Sequence, residues 1–357
     1  MRATMIHGTR DIRVEDRPDP EVRLPGDAVV RVTAACVCGS DLWPYRGVRE
    51  TKSPHPIGHE FMGVVEAVGD DVTAVKVGDL VVAPWAISCG ECAPCRNGVQ
   101  VACEHRAAWG GTDEQGLPVD GGQGERVRVP LANGTLVAVP GVTDPDEALT
   151  KSLLSLSDVM GTGHHAALAA HVGPGQSVVV VGDGAVGLCG ILAAKRLGAE
   201  RIIAMSRHED RAAIARQFGA TDVVSERGKE AAKEVREILG GLLADSVLEC
   251  VGTKESMDQA VACARPGGSV GFVGVPAGGA ELSIGTMFSK NISVGGGAAS
   301  TREYLPELLE DVLSGAINPG LVFDSVMPLE DTAEAYRAMD ERRAIKVMLV
   351  PAGAQQR

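Results

Sequence analysis

Short apolar runs broken by Gly, Pro and Asp fill the chain from its start to about residue 140. The stretches 28–35, 62–68, 79–83 and 127–129 are β-branched and too short for helices with a packed face. They predict an all-β unit whose strands are joined by long functional loops. After about residue 146 the pattern changes. Ser177-Val178-Val179-Val180-Val181 is a continuous apolar run of the kind buried on both faces of a sheet, and residues 185–197 carry helical apolar spacing. Strands expected at 201–205, 222–224, 246–249 and 268–273 alternate with helices expected at 209–218, 229–239 and 254–262. That alternation predicts βαβ units and a doubly wound parallel sheet. The tail predicts helices at 304–313 and 330–339 and a last strand at 345–350. There is no internal repeat and no low-complexity tract. A chain of 357 residues with two such different patterns divides into two domains.

The first strongly apolar strand runs straight into Gly182-Asp183-Gly184-Ala185-Val186-Gly187, which opens a helix. Glycines at this spacing permit a tight turn, let the backbone approach a pyrophosphate and allow close helix–strand packing. The free N–H groups and positive dipole end of the helix then meet the phosphates. A lone glycine pattern of this kind is weak in a chain with 45 glycines. Its place between strand and helix, with further βα units behind it, makes it a dinucleotide site.

The second strand of such a site ends in Asp or Glu when the ligand is NAD, because a carboxylate holds the ribose 2′-hydroxyl. Here residues 201–205 are followed by Ser206-Arg207-His208. A hydroxyl and a guanidinium suit a 2′-phosphate, which a carboxylate would repel. The expected cofactor is therefore NADP(H) rather than NAD(H). The alternative is that Ser206 and Arg207 cap the next helix while Glu209 or Asp210 reaches the ribose.

Composition narrows the partners. A net charge of −13 and 3% aromatic residues speak against nucleic acid and against an anionic membrane surface. No stretch approaches the roughly 18–20 apolar residues of a membrane span, and the first residues lack a signal-peptide core. The expected location is cytoplasmic. The nine cysteines agree, being clustered and odd in number.

Four of them, Cys89, Cys92, Cys95 and Cys103, fall within fifteen residues. Four sulfurs on one compact loop can close a tetrahedral zinc shell with no open position, which holds a loop in shape and does no chemistry. A catalytic zinc instead keeps an exchangeable position, so its ligands must lie elsewhere. Cys38-Gly39-Ser40-Asp41 offers a thiolate, a hydroxyl and a carboxylate, and Gly58-His59-Glu60 an imidazole and an acid. Taken alone each would more often be structural, and spacing does not bring them together.

In combination these motifs resemble the zinc-dependent medium-chain alcohol dehydrogenases. In order along the chain they are the Cys38 and His59 segments, Val77-Gly78-Asp79 and the four-cysteine loop. Asp158-Val159-Met160-Gly161-Thr162-Gly163 and the glycine loop follow, then Glu249-Cys250-Val251-Gly252 and Arg265-Pro266-Gly267-Gly268. The resemblance spans essentially the whole chain. It implies a GroES-like catalytic domain, residues 1–155 and 297–357, around an inserted Rossmann domain, residues 156–296. It also implies two zinc ions per chain, the catalytic one on Cys38, His59 and Asp158. The aspartate ligand is similar to that of bacterial secondary-alcohol dehydrogenases, which often use NADP, and Ser206-Arg207 resembles their 2′-phosphate site. Glu60 is expected beside the metal and Asp41 behind the His59 ring. Ser40 is expected to accept the alcohol proton.

The implied activity is hydride transfer between a small alcohol, with a secondary one favoured, and its ketone or aldehyde, by a homodimer or homotetramer. Polyols, amino alcohols and quinones are the alternative substrates. A non-catalytic relative has no need of an open zinc position. One departure concerns proton release. Many members place a histidine five residues after the first zinc cysteine, where this chain has Trp43; His55 is given no role. Lys346 resembles a basic residue that often reaches the cofactor phosphates, the alternative being a solvated lysine at a strand end. His164 and His165 are expected on a helix and not on the metal. Substrate shape is expected to depend on Trp43, Trp85, Trp109 and loops near Gly295.

Overall fold

A computed structural model describes residues 1–105, 107–276 and 281–353. The chain divides into two compact units, Met1–Asp158 with Ser300–Arg357, and Val159–Ala299. Each break lies three residues beyond the expected 155 and 296, so Asp158 belongs to the first unit.

The second unit is built on a six-stranded sheet in which every neighbouring pair is parallel. Across the sheet the strands are Asp222–Val224, Arg201–Met205, Ser177–Val181, Ala244–Glu249, Ala264–Phe272 and Ser293–Gly296. In chain order that is 3-2-1-4-5-6, the doubly wound Rossmann arrangement, which reverses direction between Ser177–Val181 and Ala244–Glu249. Val178, Val179 and Val180 are fully buried because helices cover both faces of the central strands. The helices Ala185–Arg196, Glu209–Phe218, Gly228–Ile238 and Lys254–Cys263 follow the expected alternation.

Three elements of this unit escape a periodicity argument. The helix Val159–Ala169 is nearly apolar all round and carries Gly161 and Gly163. A side chain at Gly163 would meet the backbone of Cys189 and Gly190, so the glycine lets this helix lie against Ala185–Arg196. The helix Ile284–Lys290 has no buried residue, and Ser293–Gly296 is half glycine. Both are too short for a periodicity argument to assign.

The first unit is mainly β. A seven-stranded sheet runs Ser325–Pro328, Val347–Val350, Ala28–Cys36, Phe61–Val68, Leu80–Ala83 and Val137–Ala138, with Arg126–Val129 paired onto Ala28–Cys36. A three-stranded antiparallel sheet joins Asp11–Asp16, Arg2–Gly8 and His55–Pro56. Their core contains Ile6, Val30, Val32, Phe61, Val65, Val81, Val127 and Tyr336. The last strand enters this sheet from the far end of the chain, pairing Met348 with Cys36 and Leu349 with Ala35. Its register carries Lys346 to the neighbourhood of Val37. No helix among the described residues is long and apolar enough to cross a membrane.

Candidate functional site

The strand Ala28–Cys36 delivers Cys38 to the one-turn 3-10 helix Gly39–Asp41. Cys38 caps that turn, and the Asp41 carboxylate folds back to accept the Cys38 backbone N–H at 3.0 Å. This cap satisfies donors that the turn leaves open. It also fixes Asp41 beside His59, whose Nδ1 lies 3.4 Å from Oδ1. Gln123 holds the arrangement from behind. Its Nε2 donates to Asp41 Oδ2 and to the Cys36 carbonyl, each at 3.1 Å, and its Oε1 accepts from the Tyr336 hydroxyl at 3.0 Å.

The other ring nitrogen of His59 lies 3.6 Å from Asp158 Oδ2, and Cys38 Sγ is also 3.6 Å from that oxygen. The ring-to-carboxylate separation is too long for a hydrogen bond. It matches the roughly 3.3–3.8 Å expected between donors around one tetrahedral zinc, with Zn–N near 2.0 Å and Zn–S near 2.3 Å. Cys38, His59, Glu60 and Asp158 offer ligand atoms that all lie within 4.8 Å of one another. A thiolate, an imidazole and carboxylates are a zinc donor set. Burial first, and then Glu60, push the Cys38 thiol up to about 11, so a thiolate at this point would need a cation beside it. The half-buried Ser40 stands at the edge of the cluster, with Oγ 3.2 Å from Cys38 Sγ.

Both oxygens of Glu60 have partners. Oε1 lies 2.8 Å from Lys346 Nζ, and Oε2 accepts the Cys36 thiol at 3.2 Å. The Lys346 ammonium also donates to the Val37 carbonyl at 3.3 Å. The Lys346 and Glu60 side chains are 1% and 0% exposed, respectively. Burial alone would lower the lysine, but the Glu60 carboxylate beside it holds Lys346 well above its ordinary value. This corrects the expectation for Lys346. It is not solvated, because the strand before which it sits is paired into the sheet, and its ammonium is taken by Glu60 and the Val37 carbonyl.

The second cluster is the four-cysteine loop. The short helix Ala93–Arg96 starts at Cys92 and carries Cys95. Cys89 Sγ lies 3.9 Å from Cys95 Sγ, and Cys92 Sγ 3.9 Å from Cys103 Sγ. These spacings are far beyond a disulfide and close to the roughly 3.8 Å of two thiolates on one tetrahedral zinc. Backbone N–H groups of Glu91 and Cys92 point at Cys89 Sγ, and that of Cys89 at Cys103 Sγ, all at 3.3 Å. A hydrogen bond from the Glu104 backbone is the largest influence on Cys92, which falls to about 6. Such donors stabilise thiolates.

In the second unit the glycine loop follows Ser177–Val181. Gly182 has φ of +117°, a left-handed conformation that favours glycine. A side chain at Gly187 would collide with the Gly182 carbonyl, whereas one at Gly184 would meet nothing within 4 Å. One glycine thus closes the helix onto the strand and another leaves an open cradle. Gly184 caps the helix, and Ala185 and Val186 form its first turn. The donors and space fit a pyrophosphate.

At the end of the next strand, Ser206 Oγ donates to Asp183 Oδ2 at 2.7 Å. The other Asp183 oxygen lies 3.4 Å from Arg211 Nη1. Arg207 is exposed, and its Nε donates to the Ser225 carbonyl at 3.1 Å. Glu209 pairs with Arg216 at 2.7 Å.

The remaining expected residues are dispersed. Trp43 lies in the short helix Leu42–Tyr45 with the Arg46 guanidinium 5.8 Å above its ring. Trp109 meets Phe61 edge-on at 5.1 Å, and the Trp85 backbone N–H donates to the Ser157 carbonyl at 2.9 Å. His164 and His165 lie on the helix Val159–Ala169, outside the metal cluster. Reasoning from sequence passed over Cys36, Gln123, Tyr336, Asp183, Arg211 and Arg227. Asp183, inside the glycine loop, was within reach of a sequence argument. The others depend on pairing between distant segments.

Known proteins resemble this chain over nearly its whole length. The alcohol dehydrogenase GroES-like domain matches residues 24–141, and the zinc-binding dehydrogenase domain matches residues 185–314. Zinc-type alcohol dehydrogenase B of Aspergillus flavus is 33% identical over 98% of this chain and 81% of its own length. The solved alcohol dehydrogenase TADH from Thermus sp. ATN1 superposes with a TM-score of 0.89 at 32% identity, covering 98% of this chain and 100% of that one. The 2R,3R-butanediol dehydrogenase of Bacillus subtilis gives a TM-score of 0.81 at 26% identity, covering 98% and 99%. A GroES-like unit and a Rossmann unit therefore combine in one chain, which belongs to the zinc-dependent medium-chain alcohol dehydrogenases.

Proposed function

We propose that the protein oxidises secondary alcohols with NADP, or reduces the matching ketones and aldehydes with NADPH. The observation that carries the alcohol reading is the Cys38–His59–Asp158 cluster with a hydroxyl, Ser40, 3.2 Å from the cluster's sulfur. A zinc ion held by Cys38, His59 and Asp158 supplies Lewis acidity toward an alcohol or carbonyl oxygen when bound. Ser40 accepts the alcohol proton by hydrogen bond and passes it on. Asp41 holds the His59 ring through Nδ1, leaving Nε2 for the metal. Lys346 and Cys36 keep Glu60 in place as a neighbouring negative charge. The loop from Gly182 to Gly187 would hold the pyrophosphate of a nicotinamide dinucleotide, a group that would supply hydride acceptor and donor chemistry toward the alcohol carbon. With Trp43 where many relatives have a histidine, the proton leaves Ser40 toward the ribose or water. Four thiolates, Cys89, Cys92, Cys95 and Cys103, hold the second zinc for shape alone.

The preference for NADP rests on Ser206-Arg207 at the end of the second strand, where among the described residues the Arg207 guanidinium meets a carbonyl and no carboxylate. A second reading, NAD, is favoured by Asp183, whose carboxylate takes the Ser206 hydroxyl at 2.7 Å and is an acid near the ribose end of the site. Steady-state assays with both cofactors separate them. The NADP reading expects a higher kcat/KM with NADP and a shift toward NAD in Arg207→Asp. Preference for NAD in the unmodified protein overturns it. A panel of primary, secondary and polyol alcohols, followed by nicotinamide absorbance, tests the substrate class. We expect a cytoplasmic homodimer or homotetramer.

A further inference from the structure

Two guanidiniums converge on one backbone oxygen at the carboxyl ends of the strands Arg201–Met205 and Asp222–Val224. Arg207 Nε lies 3.1 Å from the Ser225 carbonyl, and Arg227 Nη1 lies 3.3 Å from the same oxygen. Arg227 Nη1 also donates to the Glu226 carbonyl at 2.8 Å. Among the described residues neither guanidinium forms an ion pair with a carboxylate. Elsewhere in this unit Arg201, Arg211, Arg216 and Arg265 each meet one. The chain carries 47 acidic against 34 basic residues, so acids are not in short supply.

We propose that Arg227 is the second arm of the 2′-phosphate site, clamping with Arg207 a phosphate monoester that the loop after each strand presents to solvent. The inference rests on the NADP reading above. Two like charges beside one carbonyl repel, and a dianion between them turns that repulsion into attraction. Each guanidinium has five N–H donors, and these contacts occupy one nitrogen of each, which leaves a fork for phosphate oxygens. Burial first, and then the Arg207 charge, hold Arg227 below its ordinary value, a penalty that a bound anion removes.

Nearby acids do not cancel the pair. Asp183 is engaged by Ser206 and Arg211, and Glu226 contributes its backbone carbonyl. The position of Arg227 is fixed by the neighbouring helix Lys254–Cys263. Gly228, next in the chain, donates its N–H to Gln259 Oε1 at 2.5 Å and accepts Nε2 of the same side chain at 3.3 Å. The carboxyl edge of a doubly wound sheet is also where such folds bind ligands.

The test is calorimetric titration of the full-length protein with 2′,5′-ADP and with 5′-AMP, in the wild type and in Arg227→Ala, Arg227→Lys and Arg207→Ala. Arg227→Ala is expected to weaken 2′,5′-ADP by about 10–100-fold, the loss of charge-assisted hydrogen bonds, and to leave 5′-AMP unchanged. Arg227→Lys is expected to recover part of the loss, and KM for NADP but not for NAD should follow the binding. Unaltered 2′,5′-ADP binding in Arg227→Ala, alongside a loss in Arg207→Ala, overturns this inference and leaves the NADP reading standing. An equal loss for both ligands also overturns it, as a role in the loop's shape only. A wild-type protein that binds 2′,5′-ADP no better than 5′-AMP overturns the NADP reading itself.

Discussion

Lys346 shows how one side chain can be visible in sequence and misjudged there. Its residue type and its place before an apolar strand suggest a solvent or phosphate contact. The strand register instead buries it against Glu60, 286 residues away in sequence. A buried ion pair is a poor source of net stability, but removing one partner leaves the other charge uncompensated. Lys346→Met should therefore lower the folding free energy by about 3–5 kcal/mol. Denaturant unfolding measures it, and a loss below about 1 kcal/mol, the range of a surface pair, contradicts the assigned pairing. Cys38, Asp41, His59 and Glu60 were legible as chemistry from their types and spacing. Their convergence was not, because it depends on Asp158 and on the Gln123–Tyr336 support behind Asp41. Ser206-Arg207 was legible too, and Asp183 could have been from its place in the glycine loop, while Arg211 and Arg227 follow only from how the strands and their loops end side by side.

Elements that are buried on both faces announce themselves, and elements made of small residues do not. The strand Ser177–Val181 and its helix Ala185–Arg196 are legible because a run of valines and a helical stripe leave no alternative. The helix Val159–Ala169 is hidden by its glycines, which serve close packing rather than propensity. The strand Arg2–Gly8 buries Ala3, Thr4, Met5 and Ile6 in succession, so it shows no alternation. The four-cysteine loop is legible from spacing alone, since its shape depends on the metal rather than on a core. Cys95→Ser should cost one zinc per chain and make residues 89–103 the first site of proteolytic cleavage, while the Cys38 cluster keeps its metal. Metal analysis combined with limited proteolysis checks this. Retention of both zinc ions contradicts the assignment of the loop.

For the whole molecule, the chain order matters as much as the motifs. The first unit is discontinuous, closing at Asp158 and resuming at Ser300, and the Rossmann unit occupies the interval. Asp158 is thus the last residue before the chain leaves the metal-binding unit. The two-domain plan was legible from the change in hydrophobic period near residue 146. The return of the C-terminal strand beside Ala28–Cys36 carries no local signal and was supplied by resemblance. The central claim is that one metal cluster, Cys38, His59 and Asp158, makes this fold an alcohol dehydrogenase. Its most direct test measures zinc content and alcohol-dependent reduction of the nicotinamide cofactor on the same preparations of wild type and Cys38→Ser. Two zinc ions per chain with turnover in the wild type, and one zinc with a native thermal transition but no turnover in Cys38→Ser, are the predicted results. A Cys38→Ser protein that turns over alcohol at the wild-type rate contradicts the account.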